Sequence, residues 1–198
     1  DRHFPRARKA CWDFEGIYAS SRHIPGVRFP GTIHPGLIGT LPSADLLKTW
    51  NDREKKLFDT NPTRTPPLCT LPDGMAGTTT ALMGGMTGAD AKLAGEEAAR
   101  TVPGREHGGN CDIKNLSRGS KVFFPVYVDG AGLSMGDIHW SQGDGEITFC
   151  GAIEMAGWID ISVDIIKGGM EMYGVTNPIF QTSPIDANYS EYLVFEGI

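Results

Sequence analysis

From Ile147 to Ile165 every odd-numbered position is apolar or glycine (Ile147, Phe149, Gly151, Ile153, Met155, Gly157, Ile159, Ile161, Val163, Ile165), while Glu154, Asp160, Ser162 and Asp164 occupy even ones. Side chains alternate across a strand, so this period of two predicts β structure with one buried and one wetter face. A single strand of that length would span about 60 Å at ~3.3 Å per residue, so a bend or bulge at Gly151 or Gly157, or a hairpin, is expected. Lys121 to Val128 is aromatic and β-branched and predicts a further strand, with Pro125 marking an edge or a bulge. Tyr192 to Phe195 also reads as strand.

A helical period holds in one place. Leu46, Leu47, Trp50, Leu57 and Phe58 recur at that spacing within Ala44 to Asp59, and Ser43 stands where an N-cap belongs. Ala89 to Arg100 has helix-forming composition but little apolar face, which predicts a short surface helix. Residues 1–43 contain the turn-like pieces Ile24-Pro25-Gly26, Phe29-Pro30-Gly31 and His34-Pro35-Gly36 and disfavour helix. Asn61 to Gly88 follows neither period, and fits a long functional loop or a surface excursion equally well.

Composition adds to this picture. Glycine supplies 26 of 198 residues, nearly twice the usual ~7%, and proline 13, so short strands joined by ordered loops are expected. The net charge of −6 and the scattered Lys and Arg leave no electrostatic footprint for nucleic acid or an anionic membrane. No stretch nears the ~18 apolar residues of a membrane span, and no signal pattern opens the chain, so it reads as soluble and cytoplasmic. Cys11, Cys69, Cys111 and Cys150 include no Cys-x-x-Cys pair; this argues against a zinc knuckle or a thioredoxin-type site and for reduced thiols.

Candidate chemistry concentrates in two clusters. In Gly136-Asp-Ile-His-Trp-Ser-Gln-Gly-Asp-Gly-Glu146, Asp137 and His139 are two apart, so an extended backbone offers a carboxylate and an imidazole to one ion. Gln142, Asp144 and Glu146 repeat that spacing across a Gly-rich turn; an acidic hairpin loop is the bland alternative. In His107-Gly-Gly-Asn-Cys-Asp112, two glycines permit a tight turn between His107 and Asp112, which Asn110 can hold through its side chain. Together the clusters can supply three or four N/O ligands to a divalent ion such as zinc, and a sulfur-free set favours an open catalytic site. Cys111 is either a nucleophile or a small buried hydrophobe. His34 either lines a pocket or is a hydrogen-bonded turn histidine.

These residues resemble the acetamidase/formamidase family of amide hydrolases. The likeness lies in the two clusters, in Gly119 with Pro125-Val126, in Gly130-Ala131, and upstream in Ile24-Pro-Gly-Val-Arg-Phe-Pro-Gly-Thr-Ile-His-Pro-Gly-Leu-Ile-Gly39 followed by Pro42-Ser43, which is similar to the formamidase branch. The resemblance implies a mainly β fold with sandwich- or barrel-like layers and a few short helices. It implies one domain over residues 1–198, a central piece truncated at both ends. It also implies a bound divalent ion, with contacts from Asp112, Asp137 and His139 and a further candidate in His107, and a small amide as substrate. A homo-oligomer is compatible with the 61–88 segment and the Gly-rich surface.

For such a reaction Glu146 is the expected acid/base, and Asn110 or Gln142 the expected oxyanion donor. A Cys111-dependent amidase is the first rival. A non-catalytic metal- or sugar-binding β-domain of cupin type is the second, although this pattern has one His where cupins use His-x-His.

Overall fold

The structure is a computed structural model that describes residues 6, 8–61, 85–98, 100, 104–143, 146, 151–185 and, for the backbone, 193–195. Among the described residues it is built from antiparallel sheets and three helices. β1 (Asp13–Glu15), β2 (Tyr18–Ser21) and β3 (Ile24–Pro30) form a meander. β4 (His34–Gly39), β5 (Gly108–Asn110), β7 (Ser134–Gln142) and β8 (Ala152–Met155) form a four-stranded sheet in the order β5-β4-β7-β8. β6 (Lys121–Phe123), β9 (Ile179–Gln181) and β10 (Leu193–Phe195) form a third, in the order β10-β9-β6.

Two of these sheets meet in the core. Phe180 of β9, 1% exposed, clusters with Ile38 of β4 and Leu116, and Val122, Phe124, Met135, Ile113 and Cys111 pack around them. This is the layered, mainly β architecture that the family resemblance implies. The N-terminal meander is tied to β7, because the Thr32 N–H donates to the Trp140 carbonyl at 2.9 Å and the buried Trp140 ring packs on Phe14 with centroids 4.5 Å apart. Pro35 stands near the start of β4, paired with Ile138 of β7, before the stretch from Leu37 to Gly39 that is flanked on both sides by β5 and β7.

Helix α1 (Ala44–Thr60) starts where the cap predicts: the Ser43 hydroxyl accepts from the Leu46 N–H at 3.1 Å. Its buried residue, Trp50, donates its indole N–H to Glu106 at 2.6 Å, and Arg53 pairs with the other oxygen of that carboxylate. Arg105 pairs with Glu54 alongside. The helix is thereby clamped to the segment that leads into β5. Helix α2 (Gly88–Glu97) matches the predicted surface helix, and α3 (Gly169–Tyr173) is a single short turn. Among the described residues no helix is long and apolar enough to cross a membrane.

Two expectations are corrected. Of the 147–165 run, only Ala152 to Met155 is strand among the described residues, and 156–166 has no regular structure. Trp158 is 98% exposed and Ile161, Val163 and Ile165 face outward. Alternation creates an apolar face, but a strand forms only when another strand and another layer take it up. The 121–128 strand ends at Phe123, after which the buried Pro125 turns its carbonyl to the Thr40 hydroxyl at 2.7 Å. Most of the 61–88 segment, together with Cys69, Asp144 and Cys150, lies outside the described residues.

Candidate functional site

Strands β4 and β7 bring the chemistry together. Their register places His34 directly across from His139, with Pro35 across from Ile138 and Leu37 across from Gly136. The turn carrying Asp112 is hooked onto β4, because the N–H groups of Cys111 and Asp112 both donate to the Gly36 carbonyl, at 2.8 and 3.1 Å. Asp112, Asp137 and His139 consequently converge, each offering one ligand atom, with all three atoms within 4.8 Å of one another. His139 Nε2 lies 3.3 Å from Asp137 Oδ2 and 3.7 Å from Asp112 Oδ1.

The convergence is not the plain alternation that the Asp-x-His spacing suggests. Asp137 has φ +54° in the middle of β7, Asp112 has φ +48°, and Glu146 has φ +31°. A non-glycine residue in this region costs on the order of 1–3 kcal/mol. Three of the four non-glycine residues described with positive φ are thus carboxylates of this cluster. Gly36 forms the floor: a Cβ there would lie 2.7 Å from Asp112 Oδ1, Asp137 Oδ2 and His139 Cε1 alike. Only a residue without a side chain leaves this space open.

The electrostatics call for a cation. Asp112 Oδ1 is buried and has no hydrogen-bond partner, an unfavourable state for a carboxylate oxygen unless a positive charge completes it. Burial, then the nearby charge of Glu146 and a hydrogen bond to it, push the Asp112 carboxyl up to about 7, against the opposing effect of His139. Two carboxylates and an imidazole nitrogen around one cradle form the hard, nitrogen- and oxygen-based set that suits a divalent ion. The residues present therefore fit such a group.

The other predicted residues fall around this centre. Glu146 Oε1 accepts from the N–H groups of Gly151 and Ala152, both at 3.1 Å, while Oε2 lies 3.4 Å from Gln142 Nε2. Gln142, buried at the end of β7, also donates to the Asp112 carbonyl, so it ties Glu146 to the turn that carries Asp112. Asn110 sits on β5 across from Leu37, two residues before Asp112. His107 is not brought to the triad: it is buried against Trp50, ring centroids 4.7 Å apart, and burial lowers its pKa to about 4. The Cys111 thiol turns into the core, its Sγ 3.6 Å from the Ile38 carbonyl, which is the packing use of a cysteine. An open depression of about 560 Å³ adjoins the triad, lined by Gly136, Asp137, Ile138, Glu154, Met155, Ala156 and Gly157.

Sequence reasoning left His34 undecided and did not single out Gly36. Their signal is the cross-strand register, which joins positions more than a hundred residues apart and is not readable from either segment alone.

Fold and site thus define a mainly β protein carrying an N/O triad suited to a divalent cation. The chain belongs to the acetamidase/formamidase family, whose sequence profile matches residues 1–198. It is 60% identical over 196 residues to a formamidase of Methylophilus methylotrophus and 58% identical over 198 residues to an acetamidase of Mycolicibacterium smegmatis, in each case over 99% of this chain. These matches cover 47% and 48% of the two relatives, so the chain spans about half their length. The solved structure of a gamma lactamase from Delftia acidovorans superposes with a TM-score of 0.80 at 62% identity, covering 97% of this chain and 46% of that one.

Proposed function

We propose that the protein takes part in hydrolysing formamide or another short aliphatic amide to the carboxylate and ammonia. In this reading Asp112, Asp137 and His139 hold a divalent ion, zinc, and Glu146 serves as acid/base. The observation that carries it is the convergence of two carboxylates and one imidazole on a cradle that Gly36 keeps empty, in a chain about 60% identical to a formamidase. When bound, such an ion polarises a carbonyl oxygen and brings the pKa of water towards ~7.

The chain's own residues supply the rest. Glu146, fixed through Oε1 by two backbone N–H groups, keeps Oε2 on the Gln142 and Asp112 side, where it can take a proton from the attacking water and pass it to the leaving nitrogen. Gln142 holds Glu146 beside Asp112 with the two hydrogens of its carboxamide, so of the two expected oxyanion donors the Asn110 carboxamide is the one left for charge developing on the carbonyl oxygen. Ile138 and Met155 line the depression next to Asp137 and give a small apolar wall for a short acyl group.

The test is ammonia release from formamide and acetamide, and ring opening of a γ-lactam to its amino acid, by zinc-loaded protein, compared with Glu146→Gln. Turnover of a short linear amide, lost in the variant with zinc retained, is the expected result. Turnover that persists in Glu146→Gln would remove that residue from the role, and no ammonia from either linear amide would sink the reading.

A further inference from the structure

His34 is the residue at the centre of the molecule to which the reaction described above gives no task. Both it and His139 are 1% exposed, and they face each other across the β4–β7 pair with rings nearly perpendicular and centroids 5.1 Å apart. His34 Nδ1 lies 2.7 Å from the Thr32 carbonyl, and His34 Nε2 lies 3.3 Å from His139 Nδ1. A carbonyl oxygen can only accept, so His34 Nδ1 carries a hydrogen and donates it. In neutral His34 the other nitrogen, Nε2, is then an acceptor, and the hydrogen between the two rings belongs to His139 Nδ1. That leaves His139 Nε2 as a bare lone pair, on the side where Asp112 Oδ1 and Asp137 Oδ2 stand.

The start of this relay is itself anchored. The Thr32 N–H donates to the Trp140 carbonyl at 2.9 Å, and its hydroxyl lies 3.5 Å from that of Ser141. Trp140 and Ser141 follow His139 directly on β7, so strand pairing holds the whole sequence from Thr32 through His34 to His139 in place. A metal-ligating histidine needs one nitrogen free of hydrogen and the other held by a partner that sets the tautomer and the ring angle.

We infer that His34 is a positioning residue: through its hydrogen bond to His139 Nδ1 it holds His139 in the tautomer whose Nε2 lone pair faces the carboxylates, and so sets the affinity of the cluster for a divalent ion. This rests on the metal-holding part of the function proposed above. His34 touches neither the ion nor the substrate in this role.

The test compares zinc affinity, by chelator competition, in the wild-type protein, His34→Leu, His34→Gln and His139→Ala. Leucine removes the acceptor, whereas a glutamine carboxamide can both accept from His139 and donate to Thr32. The expected result is a 10- to 100-fold weaker affinity in His34→Leu and recovery to within a few fold in His34→Gln. Equal affinity in His34→Leu and wild type would overturn the role of His34 while leaving the triad intact. Zinc binding unchanged in His139→Ala would overturn the metal site itself, and the role of His34 with it. Should His34→Leu not fold, long-range 1H–15N spectra of the zinc-free wild-type protein decide the matter. Neutral His139 protonated at Nδ1 supports the relay, and protonation at Nε2 overturns it.

Discussion

A Cβ on Gly36 would stand 2.7 Å from Oδ2 of Asp137, on the strand paired with its own. The distance is below any real van der Waals contact, and the same atom would press on Asp112 Oδ1 and His139 Cε1. Gly36→Ala must therefore push the triad side chains apart or fill the space between them, where the proposed ion would sit. Zinc content by elemental mass spectrometry is expected to fall well below one per chain, with a stability cost of about 1–3 kcal/mol from overpacking. Full occupancy in this variant would show that the ion sits elsewhere.

Removing the proposed ligand His139 and removing the proposed acid/base Glu146 should separate cleanly. His139→Ala is expected to lose zinc together with activity. Glu146→Gln is expected to keep zinc while kcat falls by roughly 10²–10⁴, the usual range for general acid–base catalysis. Parallel metal analysis and amide turnover on the two variants check this, and zinc loss in Glu146→Gln would make Glu146 a ligand instead.

The proposed role of Asp112 as a ligand makes metal uptake depend on pH. With its carboxyl pushed up to about 7 in the ion-free protein, a proton must leave before the carboxylate can bind a cation. Zinc affinity should fall about tenfold for each unit below pH 7 and level off above it. Calorimetric titration at pH 6 and pH 8, in buffers of different ionisation enthalpy, should find more proton release at the lower pH. Equal release at both would contradict the raised value.

His107 acts in the opposite direction on stability. Burial lowers its pKa to about 4 from an ordinary 6.5, so the folded protein resists its protonation more than the unfolded chain does. Its contribution is whole above pH 6.5 and is lost as pH falls through 4, a change on the order of 3 kcal/mol. Asp112, raised rather than lowered, stabilises the ion-free fold below pH 4 and loses that contribution as pH climbs through 7. The two slopes oppose each other between pH 4 and 6.5. Urea unfolding in an Asp112→Asn background should therefore show the acid loss plainly, and His107→Phe in that background should flatten it.

Much of this molecule can be read from local sequence, and what cannot has a physical reason. Ser43 and Trp50 announce α1 because a cap and an apolar stripe are properties of adjacent turns. The Asp137-Ile138-His139 spacing identifies two members of the triad, although Asp137 arrives through a left-handed backbone and not by alternation. The exposed 156–166 stretch keeps a strand's pattern without a strand's neighbours, which no window of sequence can supply. His107, three residues before Asn110, suggests a ligand by type, but the clamp of Glu106 to Trp50 and Arg53 places that segment against α1 and its ring against the indole. His34 and Gly36 acquire their meaning only from what lies across from them on β7.

The pairing of β4 with β7 also makes the triad a check on assembly. A strand shifted by one residue presents its opposite face, so a slip would put Ile33 or Pro35 across from His139, turn His34 away and replace the Gly36 floor with a side chain. Asp112 would go with it, since its turn hangs from the Gly36 carbonyl. Under the proposed metal role, capture of one ion is a yes-or-no report on strand alignment, and a refolding experiment followed by metal uptake would count only the molecules whose sheet has closed in register.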